Sequence, residues 1–159
     1  RTAIPISSTL ALPICVALEL HEWGGMFDEL PTGNVSLPGL TREEMLRVVP
    51  GALLPDAVTE KGWWFEEWCG PEDVARQAAR DASRFLFDLH RAHGPDERIC
   101  AVVHGGSGDS IIRASVGIDT RYQCFETGNT ALSSVTWTDG VPKVDYVNRM
   151  DHLPVELRS

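Results

Sequence analysis

The sequence predicts an α/β fold, with a mixed and mostly parallel sheet flanked by helices. The main observation is the segment ICAVVHGGSGDSIIR, residues 99–113, where an apolar run rich in β-branched residues is followed by two glycines and a helical pattern. A second observation is a strand–turn–strand pattern around Asp139-Gly140. Together they predict a βαβ unit followed by a meander.

The N-terminal elements alternate between helix and strand. Residues Arg1 to Leu12 are typical of the last part of a helix, and Ile14 to Leu18 of a short strand. A loop rich in Gly, Pro and Asn then runs to Gly39. Thr41 and Glu44 have the spacing of a capping box, which predicts the start of a second helix.

The C-terminal elements follow a long connection, residues 50 to 70. Pro71 begins the longest helix, which ends at Gly94. The strand Ile99 to Val103 comes next, and Ser107 is in the segment that opens its helix. Three further strands are predicted: Gln123 to Phe125, Ala131 to Trp137 and Val141 to Val147. We expect residues 1–159 to belong to a single domain.

Composition limits the class of partner. The 159 residues carry a net charge of −9, which disfavours binding to a nucleic acid or to an anionic membrane surface. No apolar run reaches membrane-spanning length, and we identify no secretory signal. Four cysteines without C-x-x-C spacing favour reduced thiols and a cytoplasmic location. They are Cys15, Cys69, Cys100 and Cys124.

His104 is the first candidate site residue. It ends the apolar run at the predicted carboxyl end of a strand, beside the N-terminus of the following helix. Ligands of open α/β sheets bind at this end of the strands, and a helix N-terminus attracts anions. The sequence therefore predicts an anionic ligand here, with phosphate as the first candidate.

The sequence departs from each of two other catalytic motifs at one required residue. Ser107 is not a nucleophile elbow of the G-x-S-x-G type, because Asp109 stands where the second glycine is needed. His21 and Glu22 do not begin a zinc-binding H-E-x-x-H helix, because Gly25 occupies the place of the second histidine. A metal site stays open as an alternative, although its three histidines share no ligand spacing: His21, His104 and His152.

Four segments, taken in order, resemble the histidine phosphatase superfamily, in its phosphoglycerate-mutase-like branch. AVVHGG resembles the family's second-histidine motif, and ELHEWGG resembles its general-acid loop. The turn at Gly128–Leu132 and the tail at Asn148–Leu153 resemble later family segments. The resemblance covers nearly the whole chain, and it implies a phosphoglycerate-mutase-like α/β fold.

The resemblance implies roles for two catalytic residues. His104 would contact the transferring phosphoryl group and stabilise the charge of its transition state. Glu22 would protonate the leaving oxygen and later activate water, which requires a raised pKa; partial burial beside Trp23 is the expected cause. Glu19 is the local competitor for this role. The alternatives are a histidine that serves only the strand end and a solvated loop glutamate.

The resemblance also implies contacts to phosphate and substrate. Gly105 would offer a backbone N–H to phosphate, His21 would line the pocket, and Asn129 would hold a nearby loop; each of these also has a purely structural interpretation. Arg113 is expected to be a solvated or structural charge. Three tryptophans form either a lid over the substrate or the local core of their own loop: Trp63, Trp64 and Trp68.

One family motif is missing. The family's nucleophile lies in an Arg-His-Gly triplet that occurs nowhere in this sequence, and Arg1-Thr2-Ala3 fits only the end of a second family signature. We therefore expect the chain to correspond to the C-terminal two-thirds of such a domain. Its N-terminal strand and nucleophile would come from an upstream segment or a partner chain.

Three functions remain in view. The first is a phosphomonoester hydrolase that works through a phosphohistidine intermediate. The second is a non-catalytic, phosphate-binding or regulatory domain of the same fold, and the third is a phosphoglycerate-type mutase. The expected partner is a small phosphorylated substrate. No cofactor or metal is implied, because histidines, arginines and a carboxyl group suffice for this chemistry, and the sequence does not predict an oligomeric state.

Overall fold

The computed structural model describes residues 2–64, 71–94, 96–120 and 122–158. It is a mixed α/β structure with four α-helices and four strands in these ranges. The helices are α1 (Ala3–Leu10), α2 (Arg42–Val48), α3 (Pro71–Ala92) and α4 (Gly105–Val116). The strands are β1 (Phe27–Leu30), β2 (Gly33–Ser36), β3 (Leu132–Thr138) and β4 (Val141–Arg149). Two short 3₁₀ turns cover Leu18–Leu20 and Val155–Leu157.

The helices follow local signals in the sequence. At the start of α2, the Thr41 hydroxyl accepts from the backbone N–H of Glu44, whose carboxylate accepts from the backbone N–H of Thr41, so the predicted capping box is confirmed. Helix α3 spans 22 residues from Pro71, as predicted. Helix α4 begins at Gly105, two residues before Ser107, and ends at Gly117, whose φ of 72° suits a left-handed C-cap.

The strands pair only in antiparallel hairpins within the described residues. Strands β3 and β4 meet at Asp139-Gly140, where positive φ values of 52° and 77° give the tight hairpin turn predicted for them. Strands β1 and β2 form a second hairpin in a segment predicted to be loop. The β-hairpin pattern is weak there because Gly, Pro and Asn dominate the segment.

The mostly parallel sheet is not observed in the described ranges. Residues 99–103 carry no strand assignment, and Ile99 and Val102 are more than 40% exposed. Residues 14–18 form a single parallel bridge, Cys15 to Leu53, and residues 123–125 form no strand. The apolar runs have strand composition, but a ladder also needs a neighbouring strand at hydrogen-bonding distance. In the described structure no strand lies beside residues 99–103, so their backbone forms no ladder.

A main part of the core lies where α3 packs on α4 and on the 3₁₀ turn Leu18–Leu20. Val74, Ala82 and Leu86 bury one face of α3, and Ile112 is buried on α4. The packing fixes the chain on either side of His21 against the N-terminal half of α4. Nowhere in the described ranges is a helix long and apolar enough to cross a membrane.

Candidate active site

Glu22 and His104 contact each other. Glu22 Oε2 lies 3.0 Å from His104 Nδ1, and the two side chains are 49% and 63% exposed. The structure thus brings together the two residues that the sequence predicted to be catalytic. Their exposure leaves both groups accessible to a molecule from solvent.

His104 occupies the N-cap of α4. Its backbone is extended (φ −77°, ψ 162°), and its carbonyl accepts the first intrahelical hydrogen bond from the N–H of Gly108. The N–H groups of a first helical turn lack intrahelical partners and carry the positive end of the helix dipole. The His104 imidazole therefore lies at a helix end that attracts an anion.

Two serines on one face of α4 hold the backbone that carries Glu22. The Ser107 hydroxyl donates to the carbonyl of His21, and Ser110 Oγ accepts from the Trp23 indole N–H at 3.2 Å. Three positions apart on a helix, these serines are neighbours on its surface. The residues before and after Glu22 are therefore both fastened to the helix that begins at His104.

Glycines allow this close approach. A Cβ on Gly106 would come within 2.9 Å of the Trp23 indole, so the packing of Trp23 on α4 requires glycine there. A Cβ on Gly105 would lie 3.3 Å from Thr127 Oγ1, which puts the 127–128 segment beside the helix N-terminus. Asn129 follows on an exposed turn, and its predicted role stays a prediction.

His21 lies in a closed environment between α3 and the tryptophans. Its Nε2 is 3.7 Å from Asp81 Oδ2, and the two side chains are only 14% and 8% exposed. Its ring packs edge-on against Trp64 at 4.6 Å between centroids and is 6.0 Å from Trp63. This packing favours the interpretation of the tryptophans as local core. Trp68 lies outside the described residues, and the predicted contact of His21 with phosphate stays a prediction.

Arg113 and Asp109 form a buried ion pair on α4. Arg113 Nε lies 2.7 Å from Asp109 Oδ2, with side-chain exposures of 2% and 0%. Arg113 also donates to the Thr120 carbonyl, and Asp109 Oδ1 accepts from the backbone N–H groups of Cys124 and Phe125. Arg113 was expected to be either a solvated or a structural charge. Its burial and its contacts show that it is structural. The pair fixes the backbone at Thr120, Cys124 and Phe125 against the helix.

Sequence reasoning missed the residues that support the site. The sequence patterns place Ser107 at the opening of a helix and exclude it as an elbow nucleophile, and they indicate no role for Ser110 or Asp81. The i, i+3 spacing of the serines just after His104 was a usable signal for a helix face near the site. No comparable signal identified Asp81, because its partner lies on a different element.

Metal-ligating side chains do not cluster in the described ranges, where no group of three or more could hold an ion. His21 and His104 lie on opposite sides of Glu22, one directed towards α3 and the other at the start of α4. The site therefore consists of an imidazole, a carboxylate and a helix N-terminus.

Glu22 and His104 thus present a solvent-accessible carboxylate and imidazole at a helix N-terminus, groups that can exchange protons and attract an anion. The model of the histidine phosphatase superfamily (branch 1) matches residues 1–150, and the chain belongs to this superfamily. Membership supports phosphatase- or mutase-type activity in general. No curated protein matches the sequence significantly.

Proposed function

We propose that the protein is a phosphomonoester hydrolase that works through a phosphohistidine intermediate. The observation that carries this proposal is the 3.0 Å contact between Glu22 and His104 at the N-terminus of α4, in a chain of the histidine phosphatase superfamily. A proton donor beside an imidazole and a helix N-terminus suits the transfer of a phosphoryl group. The substrate is then a small phosphorylated molecule.

Glu22 is the proposed general acid and base. In the first step the substrate P–O bond breaks as the phosphoryl group passes to a histidine nitrogen, and Glu22 gives its proton to the leaving oxygen. In the second step water attacks phosphorus and Glu22 takes the water proton. The P–N bond breaks, its electron pair returns to the histidine nitrogen, and inorganic phosphate leaves. The exposed position of the Glu22 carboxylate is compatible with both proton transfers.

His104 and Gly105 are the proposed phosphate contacts. The His104 imidazolium would stabilise the negative charge that spreads over the equatorial oxygens in the transition state. Gly105, the first residue of α4, would direct its N–H at a phosphate oxygen, and the helix dipole would act in the same sense. Asn129 is proposed to hold the turn that follows the 127–128 segment beside Gly105.

The nucleophile is proposed to lie outside residues 1–159. No Arg-His-Gly triplet occurs in the sequence. Of its five histidines, only His104 directly follows an apolar run. The same absence favours one alternative, a non-catalytic phosphate-binding domain of the same fold. A mutase differs from a hydrolase only in returning the phosphoryl group to a substrate molecule.

The test is a phosphate-release assay on the intact protein with a panel of phosphomonoesters. We expect inorganic phosphate to accumulate with turnover. Phosphate transfer between substrate positions without net release would replace the hydrolase by a mutase. Binding of inorganic phosphate, measured by ³¹P NMR, without any turnover would support the non-catalytic alternative.

A further inference from the structure

We infer that Asp81 of α3, acting through His21, is a positioning residue for the proposed acid Glu22. The inference rests on the proposed function for its consequence in catalysis, but it begins from contacts outside the Glu22–His104 pair. Asp81 and His21 are both largely buried, and neither is needed for proton transfer itself.

The His21 ring connects Asp81 with the backbone of Glu22. Its Nδ1 lies 2.6 Å from the backbone carbonyl of Glu22, and its Nε2 faces Asp81 Oδ2 at 3.7 Å. The Glu22 carbonyl is an acceptor, so Nδ1 donates to it. The Asp81 carboxylate lies beside the other ring nitrogen, and this contact helps to hold the orientation of the ring. The ring therefore fixes the carbonyl at the residue whose carboxylate meets His104.

Asp81 itself is held in place. Gln77, one turn earlier on α3, donates from Nε2 to both carboxylate oxygens at 3.0 and 3.1 Å, and its Oε1 accepts from Arg80 at 2.6 Å. Trp64 packs on the edge of the His21 ring and restricts its rotation. A carboxylate with a fixed position and a ring with a fixed plane leave the Glu22 backbone little freedom on this side.

The contact of His21 with Asp81 on α3 adds to the hydrogen bonds that α4 makes with the residues around Glu22. Ser107 and Ser110 hold the His21 carbonyl and the Trp23 indole, whereas the Glu22 carbonyl is held by the His21 ring. The Trp23 backbone N–H then donates to Glu22 Oε1 at 2.9 Å, which orients the carboxylate. The loss of Asp81 would therefore loosen the acid while the serine contacts of its loop remain.

The experiment compares Asp81→Asn with Asp88→Asn in the intact protein. Asn has the shape of Asp and can still pair with Gln77, but it lacks the charge. Asp88 is exposed two turns further along the same helix and serves as the matched control. We expect Asp81→Asn to lower kcat/KM about 10- to 100-fold for an alkyl phosphate, which needs the acid in the first step, because misplacement of a catalytic group by about 1 Å costs on this order.

The expected pattern separates positioning from general damage. For p-nitrophenyl phosphate, whose leaving group needs no proton, kcat/KM should change less than about 2-fold, because this ratio reports only the steps up to release of the leaving group. Asp81→Glu should recover part of the alkyl phosphate rate. Equal slowing with both substrates, or the same effect from Asp88→Asn, would overturn the inference.

A second readout does not depend on activity. The amide hydrogen of Trp23 donates to the Glu22 carboxylate, so its exchange with solvent reports whether that carboxylate is in place. We expect faster exchange in Asp81→Asn and an unchanged rate in Asp88→Asn. An unchanged rate in Asp81→Asn would overturn the inference. A wild-type protein without phosphatase activity would instead refute the proposed function and leave this comparison decisive for Asp81.

Discussion

Glu22 Oε2 and His104 Nδ1 lie 3.0 Å apart, although they belong to segments far apart in the chain. The contact exists because Ser107 and Ser110, on the helix that begins at His104, bind the residues on either side of Glu22. The acid and the imidazole are thus held by one helix and the loop fastened to it. The chemistry proposed here depends on this relationship.

Replacing His104 by Ala should lower the turnover of phosphomonoesters by at least about 100-fold in the intact protein, since a preorganised charge contact is lost. The side chain is 63% exposed, so the thermal unfolding midpoint should stay close to that of the wild type. The measurement is steady-state phosphate release. His152→Ala, at an exposed position in the C-terminal tail, is the control and should keep full activity. Wild-type rates in His104→Ala would remove it from the site.

Replacing Glu22 by Gln should lower kcat/KM for alkyl phosphates more than for p-nitrophenyl phosphate, because only the poor leaving group needs a proton in the first step. The measurement is the ratio of the two kcat/KM values, which does not include the second step that both substrates share. Glu19→Gln tests the local competitor and should leave that ratio unchanged. If the ratio changes in Glu19→Gln and not in Glu22→Gln, the acid is Glu19.

Replacing Asp109 by Ala should lower the free energy of unfolding by about 3 to 5 kcal/mol, because it leaves the buried Arg113 charge without its partner. The measurement is urea unfolding. Glu43→Ala breaks an exposed ion pair with Arg47 and should cost less than about 1 kcal/mol. A similar cost for both variants would contradict the structural role of the buried pair.

The C-terminal tail provides a pH prediction. Hydrogen bonds from Arg149 to both carboxylate oxygens lower the pKa of Asp151 from 3.8 to about 2. Because the folded-state pKa is depressed, the pair contributes stability above pH 4 or so and loses it as the pH falls towards 2. In Arg149→Met the pKa of Asp151 should return towards 3.8 in a ¹³C NMR titration.

The titration has a matched control. Arg158 donates to the backbone carbonyl of Leu153, and no ion pair joins it to Asp151 in the described part of the chain. Arg158→Met should therefore leave the pKa of Asp151 near 2. A pKa for Asp151 that stays unchanged in Arg149→Met would show that another group lowers it.

The sequence predicted best where the signal is local. The capping box of Thr41 and Glu44 and the turn at Asp139-Gly140 depend on neighbours within a few residues, and both are confirmed. Catalytic roles for Glu22 and His104 were implied only by the resemblance of their two segments to the family. Periodicity alone would not have brought them together.

The sequence failed where the outcome depends on distant partners. The run from Ile99 to Val103 has strand composition, but no ladder forms on it in the described structure. Asp81 was overlooked because its partner, His21, lies on another element. Arg113 was expected to be either solvated or structural, and only its packing against Asp109 decides between these.

The most direct test of the account is rapid mixing of the intact Glu22→Gln protein with p-nitrophenyl phosphate, followed by a quench in base. The first step needs no acid with this leaving group, whereas the second step loses the base that activates water. We predict a burst of nitrophenol of about one per site and the accumulation of a base-stable, acid-labile phosphohistidine. Turnover of p-nitrophenyl phosphate by the wild type with no phosphorylated protein in either form would contradict the account.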